Sequence, residues 1–254
     1  MKTKVVLLLA LLLPIGLWAN DHFFAKNEGQ LSTTAGAAAT AVHYYLTTDE
    51  ADVFVTPTGL HYQFYELATA EGGAPALQGH SLGVLPVGSQ PSCRIRSRQR
   101  AAYVVHDYDP AAPSGYRRID HFHEVAYEGL YPNIDWVIRT QARGLKYDFV
   151  VQPGGQPSAI RLDIRGASGL RLTTDGGLEL LTPLGSVRER QPYAYQETAD
   201  GRKQIACRFK LEGEQVVFEV GNYDATLPLI IDPYLTWGTY YGSDYAIEQF
   251  EEAV

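Results

Sequence analysis

The chain has 254 residues, 45% of them hydrophobic, and 29 acids against 21 lysines and arginines give a formal charge of −8. An acidic chain argues against nucleic acid or an anionic membrane as the main partner. The length accommodates one large β domain or two smaller ones, and 17 tyrosines favour strands.

The N-terminus reads MKTKVVLLLALLLPIGLWAN. Lys2 and Lys4 form a positive start, Val5 to Leu13 is unbroken apolar sequence, and Pro14 and Gly16 interrupt it before the small residue Ala19. This layout predicts a secretory signal peptide over 1–19, with an uncleaved anchor helix as the alternative, because the apolar run is short for a membrane span. Its removal takes away two lysines and no acid, moving the charge from −8 to −10. Export permits a Cys93–Cys207 disulfide. Cys207 also alternates with Ile205, Phe209 and Leu211 as a core strand residue would, which fits a buried free thiol equally well.

Further along, Ser32 to Ala41 reads as a flexible loop, and strand-like alternation begins at Val42. DVFVTPTGLHYQFYEL predicts two strands around Thr56-Pro57-Thr58-Gly59, with Leu60, Tyr62 and Phe64 on one face. Ala70 to Pro91, rich in Gly and Pro, predicts a long loop. AAYVVHDY is a strand, DPAAPSG a turn, and NIDWVIRT with LKYDFVVQPGG a hairpin that puts Leu145, Tyr147, Phe149 and Val151 on a common face. AIRLDIRG points Ile160, Leu162 and Ile164 inward. Hairpins follow around Asp175-Gly176-Gly177 and Glu212-Gly213-Glu214. No segment sustains a period of 3.6, so the expected fold is all-β: antiparallel, sandwich-like sheets, as one unit or two packed subdomains.

Three stretches invite a chemical reading. In DHFHEVAYEGLYPNIDW, residues 120–136, a strand places His121 and His123 on one face while Asp120 and Glu124 point away. Zinc needs a third ligand that this stretch does not supply, so a histidine pair on a sheet face is the expectation and no metal is predicted. RIRSRQR sets Arg94, Arg96, Arg98 and Arg100 at alternate positions, either a solvated strand face or a grip for an acidic glycan or partner carboxylates. No nucleophile elbow, zincin, phosphate-loop or zinc-cysteine pattern appears. A pair of glycosidase carboxylates needs only to meet in space and leaves no spacing to read.

Several phrases, in order, resemble one family. FFAKNEGQ is similar to an F-x-x-N-x-G-Q opening, VFVTPTGLHYQFY to its first hairpin, and YEGLYPNIDWVI to Y-x-x-L-Y-P-x-I-D. GLKYDFVVQPGGQPSAIRL, PYAYQE, VGNYDATLPLIIDP and LTWGTYYGS resemble later phrases. Together they resemble the N-terminal β-rich domain of bacterial SBBP (beta-propeller) repeat proteins, which are large secreted or surface proteins. Within these phrases Tyr131, Pro132, Asn133, Asp135, Tyr147, Asp148, Asp232 and Pro233 stand out as structural positions. Pro132 is expected to fix φ at a turn, with Asn133 and Asp135 bonding nearby amides.

The resemblance implies a β-rich domain over 20–232 and, over 233–254, the start of a propeller-type repeat that breaks off. It implies a non-catalytic structural or interaction module, secreted, on the cell surface or in the periplasm of a bacterium, without cofactor. An extracellular protein or glycan is the expected partner, and no membrane span remains after signal removal. A carbohydrate-binding module and a hydrolase of extracellular polymers are the alternatives.

Overall fold

Strands account for most of the chain because apolar and polar residues alternate through segment after segment, and each alternation needs a neighbour to bury its apolar face. The computed structural model describes residues 22–236 except 34–35, 49–50, 70–74, 111, 142–143 and 234. The expected signal peptide at 1–19, and nearly all of the expected repeat at 233–254, lie outside the described residues.

The first ten strands are β1 (Phe24–Lys26), β2 (Tyr44–Thr47), β3 (Ala51–Thr56), β4 (Gly59–Thr69), β5 (Pro75–Pro86), β6 (Arg94–Tyr108), β7 (Tyr116–Tyr131), β8 (Ile134–Gln141), β9 (Gly144–Val151) and β10 (Arg161–Arg165). The rest are β11 (Gly169–Leu172), β12 (Leu178–Thr182), β13 (Gly185–Glu189), β14 (Tyr193–Thr198), β15 (Gly201–Ile205), β16 (Cys207–Glu212), β17 (Gln215–Val220), β18 (Leu229–Asp232) and β19 (Leu235–Thr236). A single 3₁₀ turn, Pro157–Ala159, separates β9 from β10 among the described residues.

One large antiparallel sheet runs β15-β14-β18-β9-β8-β7-β1-β2-β3-β4-β5-β10-β17-β16, with β6 on the free edge of β7. Its ends, β15 and β16, are joined by Ala206 alone, yet they do not pair, so the sheet folds back on itself without closing into a barrel. Strand β7 is the branch point. Its C-terminal half pairs with β8, and Phe122 and His121 pair with β1 on the same edge.

The two wings face each other across one core. Trp136, Tyr147 and Phe149 from β8 and β9 meet Phe209 and Phe218 from β16 and β17, with the Phe149 and Phe218 rings 5.6 Å apart. Trp136 stacks on Phe149 at 5.6 Å and on Tyr127 at 5.1 Å. Such aromatic pairs add about 0.5–1.5 kcal/mol each beyond area burial, which makes this cluster the anchor of the sandwich. A second, four-stranded sheet, β11-β12-β13-β19, contributes Leu178, Leu180 and Val187 to the same core. The core is therefore contiguous rather than divided between two subdomains.

The expected loop from Ala70 to Pro91 is wrong over most of its length. Residues 75–86 form β5, paired with β4 over ten positions and with β10 on its other edge. Leu82 and Val84 face the core. Glycines outside this segment let the chain approach it closely: a side chain on Gly166 or Gly59 would collide with the β5 backbone at Ser81 or Val84. Both glycines hold positive φ, 83° and 136°. Cys93 and Cys207 are unbridged, and burial pushes the Cys207 thiol up to about 12. No helix among the described residues is long and apolar enough to cross a membrane.

Candidate functional site

Strands β6 and β7 are much longer than their neighbours, and their far halves form an arm. Val104 to Tyr108 pair with Asp120 to Tyr116, while β1 reaches only His121 and Phe122 on the opposite edge of β7. Arg117 pins the arm internally through Asp107, at 2.8 Å, and Asp109. Of the seven large hydrophobic residues exposed among the described residues, Tyr103, Val105, Tyr108 and Tyr116 are on this hairpin, and Tyr108 is 83% exposed.

The four alternating arginines open β6 and share one face. Arg98 donates to Glu124 at 3.0 Å and to Glu128 at 2.6 Å, and Arg100 donates to Asp120 at 2.6 Å. Arg94 and Arg96 are exposed and make no ion pair among the described residues. Sequence grouped the four together; the sheet divides them into two that are neutralised and two that are available.

The histidine pair is engaged in packing. His121 Nδ1 lies 3.2 Å from Ile119 O, and its ring sits 5.0 Å from that of Tyr103. His123 packs on Phe23 at 4.4 Å and approaches Thr140 Oγ1 at 3.4 Å. Burial lowers the His121 pKa. Among the described residues no group of three or more His, Cys, Asp or Glu is placed to hold a metal.

The phrase Tyr131-Pro132-Asn133-Ile134 is the two-residue turn between β7 and β8, with Tyr131 paired to Ile134. Asn133 adopts φ +57°, the left-handed position such a turn requires, and its carbonyl accepts from Gln152 N at 2.8 Å. Asp135 Oδ1 accepts from Gly129 N at 2.7 Å, across the irregularity where β7 carries extra residues relative to β8. Tyr131 Oη donates to Arg161 O at 3.0 Å, tying the corner to β10.

Asp148 and Asp232 meet on the outer face of β8, β9 and β18. Arg98, Glu124, Arg139 and Lys146 stand directly opposite one another across four strands. One step beyond the Ile231–Phe149 pair, Asp232 comes opposite Asp148. Arg139 Nε donates to Glu124 at 2.8 Å and Nη1 bonds Asp148, while Lys146 Nζ donates to Asp232 Oδ2 at 2.6 Å and lies 3.9 Å from Asp148 Oδ1. This is an alternating charge ladder, with its acids covered: side-chain exposure is 5% at Glu124, 8% at Asp148 and 15% at Asp232.

One feature of the ladder is incomplete. Asp148 Oδ1 and Asp232 Oδ1 are both buried without a hydrogen bond. Burial, only partly offset by Lys146 and Arg139 and reinforced by the carboxylate of Asp232, holds the Asp148 carboxyl above its usual range. Pro233, buried, fixes the backbone just after Asp232. Beyond them, Tyr193 pairs with Asp232 and stands 5.5 Å from Tyr195, over which Arg202 lies at 3.9 Å.

On the opposite face of β9, Tyr147 enters the core. Its Oη lies 2.9 and 3.1 Å from the two oxygens of Glu189 in β13, so it links the large sheet to the small one. Burial pushes the Glu189 carboxyl up to about 7, against the bond from Tyr147. Sequence reasoning missed Glu124, Arg139, Lys146 and Glu189. Their single signal, like parity along consecutive strands, becomes visible only when the register is known.

The family described as a domain of unknown function, DUF7948, matches residues 24–234. No curated protein and no solved structure matches the chain.

Proposed function

Because this chain belongs to the DUF7948 family, described as a domain of unknown function, we propose a role from its surface: a non-catalytic structural and interaction module of a secreted, repeat-bearing bacterial surface protein. The observation that carries this reading is the β6–β7 arm, where Val105, Tyr108 and Tyr116 are exposed on a hairpin that extends past the pairing of β7 with β1. Exposed aromatics on a rigid projecting hairpin suit contact with another protein, since tyrosine supplies apolar area at small entropic cost. The resemblance of the chain's ordered phrases to SBBP repeat proteins supports the extracellular address.

Fractionation of producing cells tests this. The wild-type chain is expected with the cell surface, and the Tyr108→Ser/Tyr116→Ser variant in the medium with its fold intact. Equal retention of both would overturn the role of the arm.

A carbohydrate-binding role has its own observation. Arg94 and Arg96 are unneutralised on an exposed strand of an acidic protein. Binding of a uronic-acid oligosaccharide that Arg96→Ala abolishes would favour this reading over the first.

A further inference from the structure

Lys146 and Asp232 lie on neighbouring strands, 86 positions apart in sequence, with Nζ 2.6 Å from Oδ2. The carboxyl carbon of Asp232 is one bond beyond that oxygen, so the amine is held beside the carboxyl group it would attack. A third group, Asp148, faces both: its Oδ1 is 3.9 Å from Nζ, and the register sets it across from Asp232. Elsewhere in the ladder the cation is arginine; here it is lysine, whose amine is the side-chain nitrogen that can serve as a nucleophile. Asp148 Oδ1 and Asp232 Oδ1 are both buried without a hydrogen bond, which an ordinary ion-pair lattice would avoid.

We infer that Lys146 and Asp232 are placed to condense into an intramolecular amide between β9 and β18, with the Asp148 carboxyl relaying the protons. Proton transfer within the ion pair gives a neutral amine and a neutral carboxylic acid. The Nζ lone pair attacks Cγ of Asp232, while Asp148 as an acid donates to the carbonyl oxygen. That attack forms the C–N bond; collapse of the tetrahedral intermediate re-forms the carbonyl, returns its proton to Asp148 and breaks one C–O bond. The proton lost from nitrogen travels through Asp148 to the departing oxygen, which leaves as water. One amine and one carboxyl become one amide and one water, and no oxidant or activating nucleotide enters. In bulk water condensation is disfavoured by the solvent concentration. Held groups reach effective molarities of ~10⁵–10⁸ M, which offsets that term.

The bond would close the loop from the core strand β9 to the last strand of the large sheet, just before the chain leaves it. It would resist traction from whatever follows residue 236, and it does not depend on the arm.

The test is the intact mass of the exported, folded chain against its sequenced N-terminus, followed by peptide mapping. The expected result is a mass lower by one water and a branched peptide joining Lys146 to Asp232 that survives denaturant and reductant. Lys146→Arg, which keeps the ion pair, is expected folded and at full mass. Asp148→Asn is expected to lose the bond, or form it far more slowly. Full mass with Lys146 and Asp232 on separate peptides would overturn the inference, and so would a water loss mapping elsewhere. Unchanged bond formation in Asp148→Asn would overturn the relay.

Discussion

Tyr147 and Glu189 meet across two sheets: the tyrosine hydroxyl lies 2.9 Å from Glu189 Oε2, inside the core, where the glutamate is 6% exposed. This contact joins β9 of the large sheet to β13 of the small one. It is satisfied as a hydrogen bond, but among the described residues no cation pairs with the carboxylate. Burial and the Glu189 carboxylate keep the nearby Tyr62 hydroxyl neutral, so it adds no second negative charge. Folding therefore favours the protonated acid.

The consequence is a stability that falls as pH rises. In the unfolded chain Glu189 ionises at its ordinary value of 4.5, and in the fold at about 7. Between those values the folded state binds more protons than the unfolded one, so the contribution is full at low pH, declines through that window and is absent above it. The upper bound is about 3 kcal/mol. Glu189→Gln is expected to unfold at higher urea concentration than wild type at about pH 8 and to match it near pH 5. Urea melts of both proteins across that range check the sign.

The charge ladder makes a different demand. Arg139 serves two covered acids, Glu124 and Asp148, whereas Arg98 is 43% exposed and serves one covered acid beside the more open Glu128. Arg139→Ala leaves Glu124 to Arg98 alone and Asp148 to the more distant Lys146, and is expected to cost about 2 kcal/mol, and Arg98→Ala about 1 kcal/mol or less. Chemical denaturation of the two variants, compared at one pH, would show the order. Equal costs would mean that the outer face is wetter than its geometry indicates.

At the β7–β8 corner, Asn133→Gly is expected to be nearly neutral, because φ +57° suits glycine. Asn133→Ala should cost about 1 kcal/mol by steric strain. Asp135→Ala removes the acceptor for Gly129 N and should cost about 1–2 kcal/mol. Thermal melts would separate the backbone effect from the lost bond.

Substitutions on the arm are expected to leave folding alone. Tyr108 is 83% exposed and Tyr116 39%, so their change to Ser should alter stability by less than about 0.5 kcal/mol. A calorimetric scan of the double variant tests this, and a large loss would mark the arm as part of the core.

Much of the fold was legible from alternation. Leu60, Tyr62 and Phe64, and Leu145, Tyr147, Phe149 and Val151, face the core as their spacing predicts. Strand β5 was not legible, because its Gly79, Gly83 and Pro86 carry loop chemistry in sequence while cross-strand pairing to β4 and β10 overrides it. The turn at Pro132 and Asn133 could be read from residue type. The meeting of Asp148, Lys146 and Asp232 could not, since it depends on β18 returning beside β9 from far along the chain. Resemblance marked Asp148 and Asp232 as notable without indicating that they adjoin, and Glu189 gave no signal within SVRERQPY beyond an ordinary charge.

The most direct test of the proposed role is site-specific photo-crosslinking from position 108 in producing cells, with position 172 on β11 as an exposed control. The account predicts one discrete adduct from position 108, joined to an extracellular protein or to a later segment of the same polypeptide, and none from position 172. Adducts from position 172 with position 108 silent would contradict it and move the interaction surface to the small sheet.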